Sequence, residues 1–255
     1  MDASDMIDAV GDMEARSPQE IVRWGIETFG KRIALVTSLQ RNSLAILDMA
    51  YQIAPHINVF TVDTGRLPEA TLTFLDRIRD LFPRASWRIL FPDRCEVEEM
   101  VGRKGPNLFY ASVSNRLLCC RVRKVRPLTR ALRDVDAWMT GLRRDEGPTR
   151  RDVKKVELDR ERGGMVKLNP LADWSRDEVQ HYLEVRGIPA HPLYEQGYTS
   201  IGCSPCSRPT DDRTGVRDGR WWWETDAPKE CGINRTVSAG SPDRAVQEIL
   251  DGCSD

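Results

Sequence analysis

Two cysteine pairs mark where this chain could do chemistry. Cys119 and Cys120 are adjacent, inside SNRLLCCRVRKVRPL, and Cys203 and Cys206 frame a Cys-Ser-Pro-Cys loop inside TSIGCSPCSRP. Neighbouring cysteines are poor disulfide partners, because a disulfide wants Cα atoms further apart than adjacent residues easily allow. They are better placed as two ligands of one metal centre that the C-x-x-C loop closes from the other side. Four thiolates suit either a structural zinc or an iron–sulfur cluster. From Arg116 to Arg133 the chain holds Arg116, Arg121, Arg123, Lys124, Arg126, Arg130 and Arg133, and no acid until Asp134. That much local positive charge suits an anionic cluster and an anionic substrate together. The plainer alternative is a solvated basic helix with two buried cysteines.

A third kind of cysteine stands outside both pairs. Cys231 lies in Glu230-Cys231-Gly232-Ile233-Asn234, with Lys229 and Arg235 close enough in sequence to favour the thiolate. Cys95 and Cys253 carry no such context and are expected to be incidental thiols. Arginines supply the rest of the chemistry. Arg143, Arg144 and Arg150 flank a strand end, and Arg217 and Arg220 precede Trp221-Trp222-Trp223. Planar guanidinium groups bind phosphate or sulfate oxygens in pairs. The tryptophan run reads first as core, and otherwise as a stacking or docking face. His56, His181 and His191 share no ligand spacing, and neither an HExxH nor a Ser-His-Asp arrangement is visible.

The elements that must position these groups follow from periodicity and capping. Ser17-Pro18-Gln19-Glu20 is a capping box that starts a helix running to about Phe29. IALVTS (33–38), INVFTV (57–62), SWRILF (86–91) and DAWMTGL (136–142) read as strands. Helical patterns alternate with them at 44–54, from Pro68 to about Phe82, at 95–101 and at 114–133, where Pro127 should kink or interrupt the helix. KKVELD and MVKLNPL around Gly163-Gly164 read as a hairpin, and Ser175-Arg176-Asp177-Glu178 opens another helix. This alternation predicts an α/β fold, with a mostly parallel sheet covered by helices on both faces. Ligands of such sheets bind beyond the carboxyl ends of the strands. Two turns lie there: Thr37 to Ser43, whose hydroxyls (Thr37, Ser38, Ser43) and free N–H groups suit a phosphate, and Asp63-Thr64-Gly65. No Walker loop is present.

With 255 residues, 40% hydrophobic and 30% charged, the chain has room for one large domain and a small appendage. Residues 1–16 are expected as a lead-in, 17–206 as the α/β domain and 207–255 as a flexible arm. A net charge of −1 gives no global bias toward nucleic acid or membrane, and neither is expected as a partner. The acidic start has no secretory pattern, so the cytoplasm is the expected compartment. Seven cysteines in such a chain point to metal or redox chemistry over a disulfide framework.

CCRVRKVRPL, GCSPCSRP, GRWWWE and ECG, in that order, resemble the assimilatory sulfonucleotide reductases, and among them the bacterial adenosine 5'-phosphosulfate (APS) reductases that carry a 4Fe–4S cluster. The similarity runs from about Ile33 to Asn234. It implies an adenine-nucleotide α-hydrolase-like fold with the nucleotide across the strand ends. It implies that Cys119, Cys120, Cys203 and Cys206 hold the 4Fe–4S cluster, and that Cys231, on the C-terminal arm, is the nucleophile. Thr37, Ser38, Ser43, Asp63, Thr64, Gly65, Lys124, Arg143, Arg144, Arg217 and Arg220 are the expected substrate contacts. Thioredoxin, or glutaredoxin, is the implied reductant, and sulfite and AMP are the products. The chain departs from the pattern in two places. Asn234 stands where the family usually has His, and the turn TSLQRNS is bulkier and more basic than usual. The rival readings are a reductase of the 3'-phosphorylated nucleotide, an ATP-pyrophosphatase-type sulfur transferase, and a zinc-bound nucleotide-sensing module.

Overall fold

The computed structural model describes residues 13–210, 215–225, 230, 232–233, 246–247, 249 and 252–253. Six strands form one sheet: β1 (Ile33–Val36), β2 (Asn58–Val62), β3 (Ser86–Leu90), β4 (Ala137–Met139), β5 (Val156–Asp159) and β6 (Met165–Leu168). Their order is β3-β2-β1-β4-β6-β5; every pairing is parallel except that of β5 with β6, which closes the expected hairpin. The helices are α1 (Pro18–Phe29), α2 (Arg41–Ile53), α3 (Glu69–Leu81), α4 (Arg94–Lys104), α5 (Val113–Cys120), α6 (Arg126–Leu132) and α7 (Arg176–Val185). Both predicted capping boxes form. Ser17 and Glu20 exchange hydrogen bonds at the start of α1, as do Ser175 and Glu178 at the start of α7.

Side chains alternate across a strand, so each strand feeds two cores. Ile33, Leu35, Ala137 and Met139 pack with α1, α2, α3 and α7 on one face. Ala34, Phe60 and Trp138 pack with Leu128, Ala131 and Leu132 of α6 on the other. From β1 the chain builds outward through β2 to β3, then returns to place β4 on the other side of β1. The strand order therefore reverses between β1 and β4, which opens a crevice at their carboxyl ends. Gly141 makes that crevice tight. A Cβ there would stand 2.7 Å from Asn42 Cβ and 3.0 Å from the Ser43 backbone nitrogen. Only a residue without a side chain lets the loop after β4 lie against the first turn of α2.

Between α5 and α6 the helix does not stop; it widens into a π turn over Arg121–Val125, with Arg126 N–H bonding Arg121 O. Pro127 supplies the reason. It has no N–H to donate, and its ring would collide with the carbonyl four residues earlier in a regular helix. The expected interruption at Pro127 is thus a widened turn one step ahead of it. That turn carries Arg123 and Lys124.

A third core lies around the cysteines. Leu118, Cys119, Val122 and Cys206 pack with Met100, Phe109 and Trp221, and Val246 and Ile249 join them. Trp221 is 1% exposed, while Trp222 is 42% exposed, so the tryptophan run divides between core and surface. Arg116 is buried here and bonds Glu224 through Nε and Nη2, both at 2.9 Å, with its guanidinium 4.6 Å from the Trp221 ring centre. Cys95 and Cys253 correct the expectation of incidental thiols. The start of α4 and the segment 252–253 meet, and the two form a disulfide across a sequence separation of 158.

Two predictions follow from the buried ionisable groups. Removing one partner of a buried ion pair strands the other charge, so Glu224→Ala is expected to cost about 3–5 kcal/mol in urea unfolding. The second concerns His191, which is 1% exposed. Its Nδ1 accepts the Leu193 N–H at 3.2 Å, so Nε2 carries the proton and donates to Thr71 Oγ1 at 3.0 Å. Burial pushes this imidazole down from 6.5 to about 4. The unfolded chain then takes up a proton below pH 6.5 while the folded one stays neutral. The stabilising contribution is whole above pH 6.5 and is lost as pH falls toward 4. Between pH 7 and 5 the loss amounts to about 2 kcal/mol. Urea midpoints measured across that range should decline more steeply for the parent protein than for His191→Asn.

Candidate active site

The crevice at the switch point is a cavity of about 200 Å³. One wall is the turn after β1. Its hydroxyls are largely spent on the turn itself: Thr37 Oγ1 accepts the Leu39 N–H and donates to Ser43 Oγ, and Ser43 Oγ donates to Gln40 O. Leu39 sits in the left-handed region at φ 57° with its side chain buried. For a γ-branched residue this costs about 1–2 kcal/mol, and it turns the chain sharply enough for α2 to begin at Arg41. No side chain caps α2. The Arg41 N–H bonds the Tyr194 hydroxyl, and the positive end of the α2 dipole faces the cavity, where it favours an anion.

Seven basic side chains line the cavity: Arg41, Lys124, Arg143, Arg150, Arg176, Arg217 and Arg220. One carboxylate, Glu146, faces them. Several of these cations have identifiable anchors. Arg143, whose side chain is 4% exposed, bonds Asp145 through Nη2 at 3.0 Å. Its Nε and Nη1 are buried with no hydrogen-bond partner among the described residues. Buried donors without acceptors are costly, and an anion that draws this guanidinium toward the cavity would relieve that cost. Arg41 stacks 3.6 Å over the Tyr194 ring. Arg150 is held charged by Glu230 and Glu146. Arg220 donates to Cys206 O and Ile201 O, both at 3.1 Å, and lies 4.8 Å from the Trp221 ring centre. It thereby ties the Cys-Ser-Pro-Cys loop to the tryptophan run. A Cβ on Gly202 would stand 2.2 Å from its Nη2, so a side chain there would push the guanidinium off these carbonyls.

Behind this cavity lies a smaller chamber that gathers Cys119, Cys120, Cys203 and Cys206, all free thiols. The two spaces share a wall. Thr64, Cys120, Lys124, Cys203 and Cys206 line both. Thr64 Oγ1 lies 3.2 Å from Cys203 Sγ, and Arg123 donates to the Thr64 carbonyl at 2.9 Å. Arg66 O accepts the Ser204 N–H at 2.8 Å, which pins the C-x-x-C loop to the segment after β2. Burial pushes the Cys119 thiol up, and pushes Cys206 up to about 12, with Cys203 adding to both. No group of three or more His, Cys, Asp or Glu side chains among the described residues is arranged to hold a single metal ion.

The sequence-predicted residues sort clearly. Thr37, Ser38, Ser43, Thr64, Lys124, Arg143, Arg217 and Arg220 line the cavity. Asp63 and Gly65 do not; the Asp63 carboxylate accepts the Gly65 N–H at 2.8 Å and shapes the turn. Arg144 points away. It donates to Val153 O at 2.8 Å and pairs with Glu14, because the segment 13–16 folds back on this loop. Cys231 and Asn234 lie outside the described residues. Sequence reasoning passed over Arg41, Glu146, Arg176 and Glu230. Arg41 was in view as the basic residue of the turn; the rest have no local signal.

A family model described as phosphoadenosine phosphosulfate reductase domain matches residues 32–209. The adenosine 5'-phosphosulfate reductase of Neisseria meningitidis (serogroup A) is 41% identical over 199 residues, 78% of this chain and 81% of that protein. Those of Burkholderia cepacia (39%, covering 84% and 85%) and Allochromatium vinosum (42%, covering 80% and 78%) are similarly related. Among solved structures, phosphoadenylyl-sulfate reductase from Candida auris, in a phosphate complex, superposes with a TM-score of 0.67. It shares 25% identity, over 80% of this chain and 97% of that one. FMN adenylyltransferase of Candida glabrata, at 14% identity and a TM-score of 0.55, shares the fold alone. The family model spans most of the chain and the relatives are about 40% identical over most of both chains, so the chain belongs to the phosphoadenosine phosphosulfate reductase domain family.

Proposed function

We propose that this chain reduces adenosine 5'-phosphosulfate to sulfite and AMP in sulfate assimilation, at the expense of a dithiol protein such as thioredoxin or glutaredoxin. The carrying observation is the cationic cavity at the strand switch point, which shares a wall with the four-cysteine chamber. The relatives at about 40% identity are named for this activity. Their relatedness also favours the 5'-phosphosulfate over its 3'-phosphorylated form, for which the more distant Candida auris protein is named.

The chemistry uses the chain's own groups. The nucleotide's phosphate and sulfate oxygens meet Arg143, Arg217 and Lys124 and the positive end of α2. Cys231, as a thiolate, attacks the sulfate sulfur. The bond from that sulfur to the bridging oxygen breaks, and AMP leaves with the electron pair. The cations stabilise the charge that develops on the departing phosphate. The product on the protein is S-sulfocysteine. A dithiol then attacks Cys231 Sγ, sulfite leaves with the S–S electron pair, and the second thiol of the reductant closes its own disulfide.

Cys119, Cys120, Cys203 and Cys206 fit a 4Fe–4S cluster. They are four free, adjacent thiols around one small space, beside Arg66, Arg123 and Lys124. When bound, such a cluster supplies a fixed local charge and a cross-link between α5 and the C-x-x-C loop. Among the described residues no helix is long and apolar enough to cross a membrane.

Two outcomes test this reading. After anaerobic incubation with adenosine 5'-phosphosulfate, intact mass should show one sulfonate on Cys231. In Cys231→Ser that adduct should vanish and sulfite formation fall by at least about a thousand-fold, with AMP binding kept. Sulfite formed at the parent rate by that variant would sink the mechanism, and preferred turnover of the 3'-phosphorylated nucleotide would sink the substrate assignment. Separately, Arg143→Met removes a cation from the cavity wall. KM should rise about 10–100-fold in steady-state assays, with the fold kept.

A further inference from the structure

The nucleophile's neighbours are each held by a different part of the α/β body. Glu230 is 4% exposed. Its carboxylate accepts from Arg150 Nε at 2.8 Å and Nη2 at 2.9 Å, and from Thr149 Oγ1 at 3.2 Å; Arg217 Nη2 stands 3.6 Å away. Arg150 also pairs with Glu146, and Glu146 Oε1 accepts from Asn42 Nδ2 at 3.0 Å. A continuous polar chain thus runs from residue 230 to the first turn of α2. Three residues on, the Ile233 carbonyl accepts from Arg162 Nη2 at 3.3 Å, and Arg162 is fixed by Asp159 at 2.7 Å. Between them, Gly232 lies close to the π turn; a Cβ there would stand 3.1 Å from Val125 Cγ2.

We propose that Glu230 is a positioning residue: its paired carboxylate fixes the backbone next in sequence to Cys231 at arginines of the cationic cavity, and ties it through Arg150 and Glu146 to the start of α2. The proposal rests on the reading of Cys231 as the nucleophile. Two features argue for a role beyond stability. A buried ion pair is rarely a better stabiliser than apolar packing of the same volume, so its worth lies in specifying one geometry. In addition, both arginines that meet Glu230 line the substrate cavity. Docking the segment therefore orients cations that face the substrate. Pairing also cancels a carboxylate charge that would otherwise oppose an anionic nucleotide next to the nucleophile. Loss of this contact leaves the nucleotide site present but the attacking group poorly placed, which lowers kcat more than it raises KM.

The test uses full-length protein with its cluster, prepared without oxygen. Single-turnover S-sulfonation of Cys231 is followed by rapid quench and intact mass, and AMP affinity by calorimetry. Glu230→Gln keeps the shape and removes the charge. It is expected to slow S-sulfonation about ten-fold or more with AMP affinity unchanged. Glu230→Asp, which keeps the charge on a shorter stem, should recover part of that rate. S-sulfonation of Glu230→Gln at the parent rate would overturn the proposal and leave the reaction assignment intact, as would a loss confined to AMP affinity. Absence of an adduct on the parent protein would instead overturn the reaction assignment, and this proposal with it. If Glu230→Gln fails to fold, Thr149→Val removes one bond to the same carboxylate. A parent rate in that variant would overturn the proposal, and a several-fold slower one would support it.

Discussion

Repulsion between buried guanidinium groups is the constraint that shapes this molecule. An anionic substrate needs cations in a crevice shielded from water, yet such cations repel one another before the substrate arrives. The structure meets this by giving the cations their own carboxylates or carbonyls. Arg143 has Asp145, Arg150 has Glu146 and Glu230, and Arg116 has Glu224. Arg220 instead donates to backbone oxygens of the C-x-x-C loop. Asp145 and Glu146 compensate charge from within the same loop. Glu224 and Glu230 come from distant segments, so their pairs with Arg116 and Arg150 also fix those segments relative to the sheet.

The sheet explains why this crevice lies where it does. A chain that winds outward from β1 and then returns to its other side leaves the carboxyl ends of β1 and β4 uncovered by a crossover. Gly141 lets the loop after β4 approach α2 closely, and Asn42 Nδ2 reaches Gly141 O at 2.7 Å and Glu146 across the gap. On the other side, Gln40 Oε1 accepts the Ile201 N–H at 2.9 Å, two residues before Cys203. The nucleotide turn is thus bonded directly to the segment that leads into the cysteine chamber. A shift of either should be felt by the other through these contacts.

What could be read from sequence was whatever is written locally. The capping boxes at Ser17 and Ser175 and the apolar strands each signal within a few residues, and the structure forms them; the Cys-Cys and Cys-x-x-Cys pairs, equally local, line one chamber. What could not be read depends on which distant segment arrives. Arg143 and Arg144 are equivalent in sequence, yet one faces the cavity and the other meets Glu14, 130 positions away. Glu230 stands in the ECG motif with nothing local to show its partner, Arg150, 80 residues upstream. Cys95 and Cys253 each looked isolated because their partner stands 158 positions away. The π turn is an intermediate case. Pro127 announced a defect in the helix, but whether the chain breaks, bends or widens depends on the packing on either side.

The widened turn also bears on how the two chambers communicate. A regular helix advances about 100° per residue, so inserting one residue per turn rotates everything after it. In this chain the extra residue falls directly after Cys120. It lets the cysteine pair line the smaller chamber, while Lys124, four residues on, lines both that chamber and the cavity. Leu128, Ala131 and Leu132 still reach the sheet on the far side. With a regular helix, one of these three alignments would be lost, because the apolar stripe of α6 and the cysteines of α5 would be out of phase. Pro127 therefore does more than forbid a hydrogen bond. It favours the one backbone geometry in which thiols, lysine and core residues of a single helical run each face their own compartment.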